Sequence, residues 1–476
     1  MRLPLASTRK VITAVTRASA VASLVVGASC TRTTTRTEIA PGASGLLLSP
    51  ASSWAADPRI GLQRDPAIAA ALGEIDAARI RATDSTLVAF GTRNTLSDTL
   101  SSSRGIGAAR RWLHAQLEAA RRECGGCLRV EYDAAIVAVP RHPDSLRVNL
   151  VNVLGVLPGR DTTRVVVVGG HYDSCICSVS PSAVWDTASA APGADDDGSG
   201  TSAVLELARV VSHRWPRGFD ATVIFALYAG EEQGLLGSIQ LADRLKREGK
   251  TVVAAFTNDI VGNVVAEDGR VDSTSVRAFA ADPDSGMSRE LGRYAWAIGS
   301  LHLPAFEVRP VWRLDRLGRG GDHSPFVRVG WPGLRFTERL ENYKRQHLPT
   351  DDFAHVSFGY VAQVARLNAA TVVSLASAPA PPDSVFAGRE SSASGGQQWS
   401  ISWRDVAGAT GYELLLRRTT APTWERVVPL GRVTHSTIDF QLDDGWVAVR
   451  SVGASGHRSL ARAAALAPRT ATRPTR

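Results

Sequence analysis

Four apolar runs dictate most of what this chain can become: RVNLVNVLGVLPG (147–159), RVVVVGGHYDS (164–174), ATVIFALYAGEE (221–232) and TVVAAFTNDIVG (251–262). Each is apolar on both of its alternating faces. That pattern does not suit a half-solvated sheet and fits buried, largely parallel strands. Segments of helical period, SGTSAVLELARVVSHRW (199–215) and GLLGSIQLADRLKREG (234–249), lie between the runs. Strand alternating with helix predicts an α/β fold, a mostly parallel central sheet with helices on both faces. Upstream, from Pro58 to about Ala120, the pattern is helical, as in GAARRWLHAQLEAARRE (107–123).

The proline-rich stretch ASAPAPPDS (376–384) reads as a linker. Beyond it QQWSISWRDV, TGYELLLRR, STIDF and DGWVAVRSVGASG are short strands separated by turn residues, with no convincing helix. Residues 385–466 are therefore expected to form a small all-β sandwich. Trp403, Tyr412 and the WVAVRSV strand give that segment a resemblance to a fibronectin type III domain, with its aromatics in the core. Residues 467–476 are read as a disordered tail.

At the other end Arg2, Arg9, Lys10 and Arg17 precede the apolar stretch ASAVASLVVGASC, which ends at Cys30. A basic region, a short apolar core and small residues describe an export signal over 1–30; a membrane span needs about 20 apolar residues. VVGASC resembles a bacterial lipoprotein signal in which Cys30 is lipidated. Gly27 stands where such signals usually carry Leu, which leaves ordinary secretion as the alternative. Secreted, periplasmic and lipid-anchored locations are all consistent with this reading. Residues 31–57, rich in Thr, Ser, Ala and Pro, look like a tether. The remaining cysteines fall in two close pairs, Cys124/Cys127 and Cys175/Cys177. In an oxidising compartment an even number suggests two disulfides, with three pairings open and a structural zinc site as the alternative. Net charge is +8, but no Lys/Arg run is interleaved with aromatics, so nucleic acid is not an expected partner.

Chemistry-bearing residues cluster where the strands end. His171 and Asp173 come just after VVVVGG, Glu231 and Glu232 after VIFALYAG, and Asp259 after VVAAFTN. In an open α/β sheet, ligands bind beyond the carboxyl ends of the strands. APGADDDGSG (191–200) enters the same edge, and GRGGDHSPF (318–326) adds His323. His, Asp, Glu, Asp and His form a nitrogen and oxygen donor set suited to zinc. Converging carboxylates repel one another strongly, and metal cations remove that cost.

GGHYDS, GADDDGSG, AGEEQGLLGS, NDIVG and GGDHSPF resemble, in order, the motifs of the two-zinc aminopeptidases of peptidase clan MH. That superfamily also holds glutamate carboxypeptidase II-like enzymes and glutaminyl cyclases. Residues 58–375 would then be the zinc peptidase domain. The resemblance implies that His171 and Asp259 bind one zinc, that Glu232 and His323 bind the other, and that Asp196 bridges them. It further implies Glu231 as general base and Asp173 as the residue orienting His171. RLENYKRQH (339–347) resembles a stretch of some bacterial relatives, which makes Tyr343 and His347 candidates for substrate contact.

The expected activity is removal of N-terminal residues from peptides, with two zinc ions as cofactor. A carboxypeptidase would need arginines facing the site, drawn from Arg309, Arg313, Arg316, Arg319 and Arg335. A glutaminyl cyclase suits the two-metal donor set less well. A non-catalytic binding protein would have lost a ligand or the base, and all are present. Contact with a cell-surface polymer through the C-terminal domain is a further expectation.

Overall fold

The computed structural model describes residues 57, 59–180, 182–315, 320–391, 397–438 and 442–467. The segments expected to be an export signal ending at Cys30, most of a tether and a C-terminal tail lie outside them. Among the described residues three helices come first: α1 (Pro66–Leu72), α2 (Ala77–Ala89) and α3 (Gly105–Glu123). Asp65 and Asp76 begin the first two by accepting hydrogen bonds from Ala67 N and Ala78 N, the usual use of a short acidic side chain at a helix start.

The eight-stranded sheet is built from β1 (Arg129–Ala138), β2 (Arg147–Leu157), β3 (Asp161–His171), β4 (Ala221–Tyr228), β5 (Thr251–Asn258), β6 (Ser275–Phe279), β7 (Glu307–Val311) and β8 (Gly333–Glu338). Their order across the sheet is β1-β2-β4-β3-β5-β8-β6-β7. The helices α4 (Gly200–Arg214), α5 (Leu236–Arg247), α6 (Met287–His302), α7 (Ser324–Arg328) and α8 (Phe358–Ala376) complete the layers. The expected α/β architecture holds, with a mixed rather than uniformly parallel sheet. Strands β4, β3, β5 and β8 run parallel, whereas β2 is antiparallel to both β1 and β4. The reason lies in chain length: only residues 158–160 join β2 to β3, far too few for a parallel crossover.

The apolar run of β3 explains the two helical layers. Val166 and Val168 join the cluster that includes Leu113 and Leu117 of α3, Val204 of α4 and Leu367 of α8. Val165 and Val167 instead join Leu241 and Leu245 of α5 and Phe326 of α7. All four valines are at most 1% exposed. Burying each contributes about 1.5–3 kcal/mol, so a polar residue on either face would be costly.

After α8, residues 377–385 pack against the C-terminal module: Ala380 O accepts from Ser451 Oγ at 2.5 Å. That module consists of two four-stranded sheets, built from β9 (Phe386–Ser391), β10 (Gln397–Ser402), β11 (Ala409–Arg418), β12 (Arg426–Gly431), β13 (His435–Ile438), β14 (Gly445–Gly453), β15 (Arg462–Ala463) and β16 (Ala465–Leu466). Their orders are β13-β10-β9-β16 and β12-β11-β14-β15. Trp403 and Tyr412 are core residues of this module, 5.5 Å apart edge to face. The module is fastened to α6: Trp424 Nε1 donates to both oxygens of Glu290 at 3.1 and 3.0 Å. Arg417 also pairs with Asp284 at 2.6 Å, and Arg293 donates to Pro422 O at 3.1 Å.

Candidate metal centre

The parallel register of β4, β3 and β5 brings their carboxyl ends to one edge. His171 pairs with Tyr228, and Gly169 pairs with Thr257. The chain then leaves β3 into a loop that returns as a wide helical turn, Ala194–Ser199, ahead of α4. The three aspartates in that turn have different tasks. Asp197 accepts from His171 N at 3.0 Å and Gly200 N at 2.9 Å, tying the strand end to the helix start. Asp195 accepts from Gly262 N at 2.7 Å. Only the middle one, Asp196, faces the histidines, and the Asp196–Asp197 peptide is cis. Gly170 lets α4 approach, since a Cβ there would lie 2.8 Å from the carbonyl carbon of Gly200.

Two donor groups result. His171, Asp196 and Asp259 form the first, with ligand atoms within 4.8 Å of one another. His171 Nε2 is 3.1 Å from Asp196 Oδ1 and 4.0 Å from Asp259 Oδ1. The second lies around His347, whose Nε2 is 2.9 Å from Asp196 Oδ2 and 3.4 Å from Glu232 Oε2. The Asp196 carboxylate thus turns one oxygen to each imidazole. Nε2 of His171 and Oε1 of Glu232, one in each group, are buried without a hydrogen-bond partner among the described residues, as is Nδ1 of His323 outside them. Orphaned donor atoms of this kind fit metal ions.

His323 stands elsewhere. Its Nδ1 and Asp259 Oδ2 both lie 3.4 Å from where a Cβ on Gly321 would sit. It lines a water-sized cavity of about 10 Å³ with Phe279, Arg313, Asp315 and Arg335. Burial and the Arg335 charge push its imidazole down to about 3. Beside Glu232 the structure places His347 instead of the expected His323. The physical reason is local: the chain at His347 turns its ring toward Asp196 and Glu232, while His323 lies in the corner of Arg335, whose Nη2 is 3.1 Å from Asp259 Oδ1. His347, a candidate substrate contact by sequence, adopts φ 56°, a left-handed conformation uncommon for a non-glycine residue. Its carbonyl is held by Ser178 N at 3.1 Å. Tyr343 is 49% exposed, its amide donating to Glu267 at 3.1 Å.

Around the donors runs a buried polar frame. Asp173 accepts from the amides of Glu231 and Glu232 at 3.2 and 3.3 Å and from the Thr95 hydroxyl at 3.2 Å. Its carbonyl lies 3.2 Å from His171 Nδ1. Two residues without a sequence signal matter here. Asp351 accepts from Asp195 N at 2.9 Å and Asp196 N at 3.0 Å. Arg93, wholly buried, donates to the carbonyls of Tyr172, Leu87, Pro192 and Gly193. It is the cation facing Asp84, Asp351, Asp173 and Asp197. No periodicity marks an arginine for burial, and Asp351 sits four residues beyond His347 in a stretch that reads as a turn.

Charge in this frame is distributed unevenly. Burial opposes ionisation of Asp196, yet His347 and His171 hold its carboxyl well below the usual range. Glu232 and Asp196 push the His347 imidazole up to about 10. Desolvation pushes Glu231, which has no imidazole within bonding distance among the described contacts, up to about 8. A carboxylate with a raised affinity for protons, beside two groups of metal donors, is equipped to accept a proton from water.

An open α/β sheet carrying His, Asp and Glu donors at its carboxyl edge has the make-up of a metal-binding site. The model of Peptidase family M28 matches residues 152–372. A probable zinc metalloprotease of Leptosphaeria maculans is 36% identical over 433 residues, 84% of this chain and 98% of that protein. Another, of Pyricularia oryzae, is 36% identical over 431 residues, 83% of this chain and 84% of that one. The chain belongs to peptidase family M28, as a zinc metallopeptidase. Among solved structures the LapA aminopeptidase of Legionella pneumophila has the same fold, with TM-score 0.52 and 22% identity over 66% of this chain and 76% of that one.

Proposed function

We propose that this protein is an exported aminopeptidase working with two zinc ions, one held by His171, Asp196 and Asp259, the other by Asp196, Glu232 and His347. The observation that carries the reading is the Asp196 carboxylate, with one oxygen toward His171 and the other toward His347. Bound metals supply polarisation of the scissile carbonyl and a water of lowered pKa. Asp173 keeps Glu231 and Glu232 in place through their amides and holds the His171 ring in orientation. Glu231 accepts the proton of the attacking water and passes it to the departing amine.

Of the arginines that a carboxypeptidase would draw on, the three among the described residues have other partners. Arg335 lies against Asp259 and donates to Gly320 O at 2.8 Å, Arg309 pairs with Glu307 at 2.5 Å, and Arg313 donates to Leu314 O at 2.7 Å. Arg316 and Arg319 lie outside the described residues. Export, with or without lipid on Cys30, rests on the N-terminal sequence, and any cell-surface contact on the C-terminal module.

Metal analysis and hydrolysis of amino-acid nitroanilides with free and blocked amines test the reading. Glu231→Gln should keep two zinc ions and lose about 10²–10⁴-fold in kcat. Two bound zincs with no cleavage of any free-amine substrate would sink the aminopeptidase assignment.

A further inference from the structure

The Cys175–Cys177 disulfide has no part in the chemistry above, yet it lies against it. The bond spans one intervening residue, and a loop that short restrains the unfolded chain least. Both cysteines belong to one turn after β3, so the bridge fastens no two elements together. What it touches is the second donor group. Cys175 Sγ, a Glu232 oxygen and a His347 nitrogen lie within 4.8 Å of one another. Cys177 Sγ is 3.9 Å from Glu232 Oε2, and the amide of Ser178 holds the His347 carbonyl. Glu232 Oε1 is buried there without a hydrogen-bond partner among the described residues.

We propose that this disulfide is a redox gate: its reduction makes Cys175 a further ligand of the metal held by Glu232 and His347. The inference rests on the metal reading above. Two molecules of a small thiol deliver two electrons and two protons. The S–S bond breaks, each cysteine takes one proton, and the reductant leaves as its own disulfide. On ligation, Cys175 releases its proton to solvent and its sulfur bonds the metal. In the oxidised protein Asp196, Glu232 and His347 are three ligands, the number that leaves a catalytic zinc an open position. A thiolate as fourth ligand closes it, as in structural sites. Reduction therefore holds that metal more tightly and suppresses hydrolysis, and oxidation reverses both.

The test loads the full chain with Co²⁺ in four forms: oxidised wild type, wild type reduced with dithiothreitol and desalted without air, and the variants Cys177→Ser and Cys175→Ser. Cobalt d–d absorption reports occupancy, and thiolate-to-cobalt charge transfer in the near ultraviolet reports sulfur ligation. The charge-transfer band should be absent from the oxidised protein and present in the reduced one. It should be present in Cys177→Ser without any reductant and absent from Cys175→Ser in either state. Reduction should slow the wild type by about tenfold or more, reversibly, the size of effect that changes at metal-site ligation produce. The Cys175→Ser rate should not respond to reduction. Bound cobalt with no charge-transfer band in reduced wild type and in Cys177→Ser overturns the gate and leaves the metal reading standing. No bound cobalt in any form overturns both.

Discussion

Asp351 is the sharpest place to test how the metal centre is assembled. It is 3% exposed, and its two oxygens accept from the amides of Asp195 at 2.9 Å and Asp196 at 3.0 Å. Asp351→Asn keeps the shape, but one acceptor oxygen becomes an NH₂ group facing an amide N–H. An intramolecular hydrogen bond contributes about 0.5–1.5 kcal/mol, and a buried donor left unsatisfied costs about 1–3 kcal/mol. The variant should therefore unfold with about 2–4 kcal/mol less stability, the two contributions overlapping at this one bond. Because the two amides belong to Asp196, which faces both histidines, and to the residue before it, zinc affinity should fall by about 10–100-fold. Competition against a chromogenic chelator measures the affinity, and denaturant unfolding measures the stability. A folded variant with unchanged zinc affinity would refute the claim that Asp351 sets the position of Asp196.

Three further outcomes are expected. His347→Ala should drop metal content from two ions to one, whereas His323→Ala should retain both; atomic absorption on the dialysed proteins distinguishes them, and the reverse result would restore His323 as the ligand. Trp424→Ala removes a 6% exposed indole bonded to Glu290, a loss of about 3–5 kcal/mol. It should split one calorimetric transition into two as the C-terminal module comes away from α6, and an unchanged thermogram would contradict this. His302, 4% exposed, is pushed down to about 4 by burial and by Arg64 and His457, with Asp65 opposing them. Between about pH 6.5 and 4 the unfolded chain binds the proton that folded His302 refuses. Stability should therefore fall with pH across that window, by up to about 3 kcal/mol. His302→Gln should flatten that limb of a denaturation series, and an unaltered slope would assign the acid sensitivity elsewhere.

The α/β architecture is legible in the order of residues alone. Val165–Val168 are apolar on both faces, and a strand of that kind has no stable place except between two helical layers. The order of residues also placed His171, Glu231, Glu232 and Asp259 just past strand ends, because a strand's end is a local property of the chain. The direction of β2 was less legible, since it depends on how few residues link it to β3 and on which strand it then pairs with. Which histidine faces Glu232 was not legible at all. His323 and His347 both come after the strand-end motifs, and nothing in their spacing ranks them. Only the folded chain decides it, by placing Arg335 beside Asp259 in the His323 corner and by turning the backbone at His347 toward Asp196. The same holds for Arg93 and Asp351, whose charges have meaning only once distant segments enclose them. Local pattern fixes what each segment buries; the arrangement of charges around a metal depends on contacts between residues far apart in sequence, and those exist only in the fold.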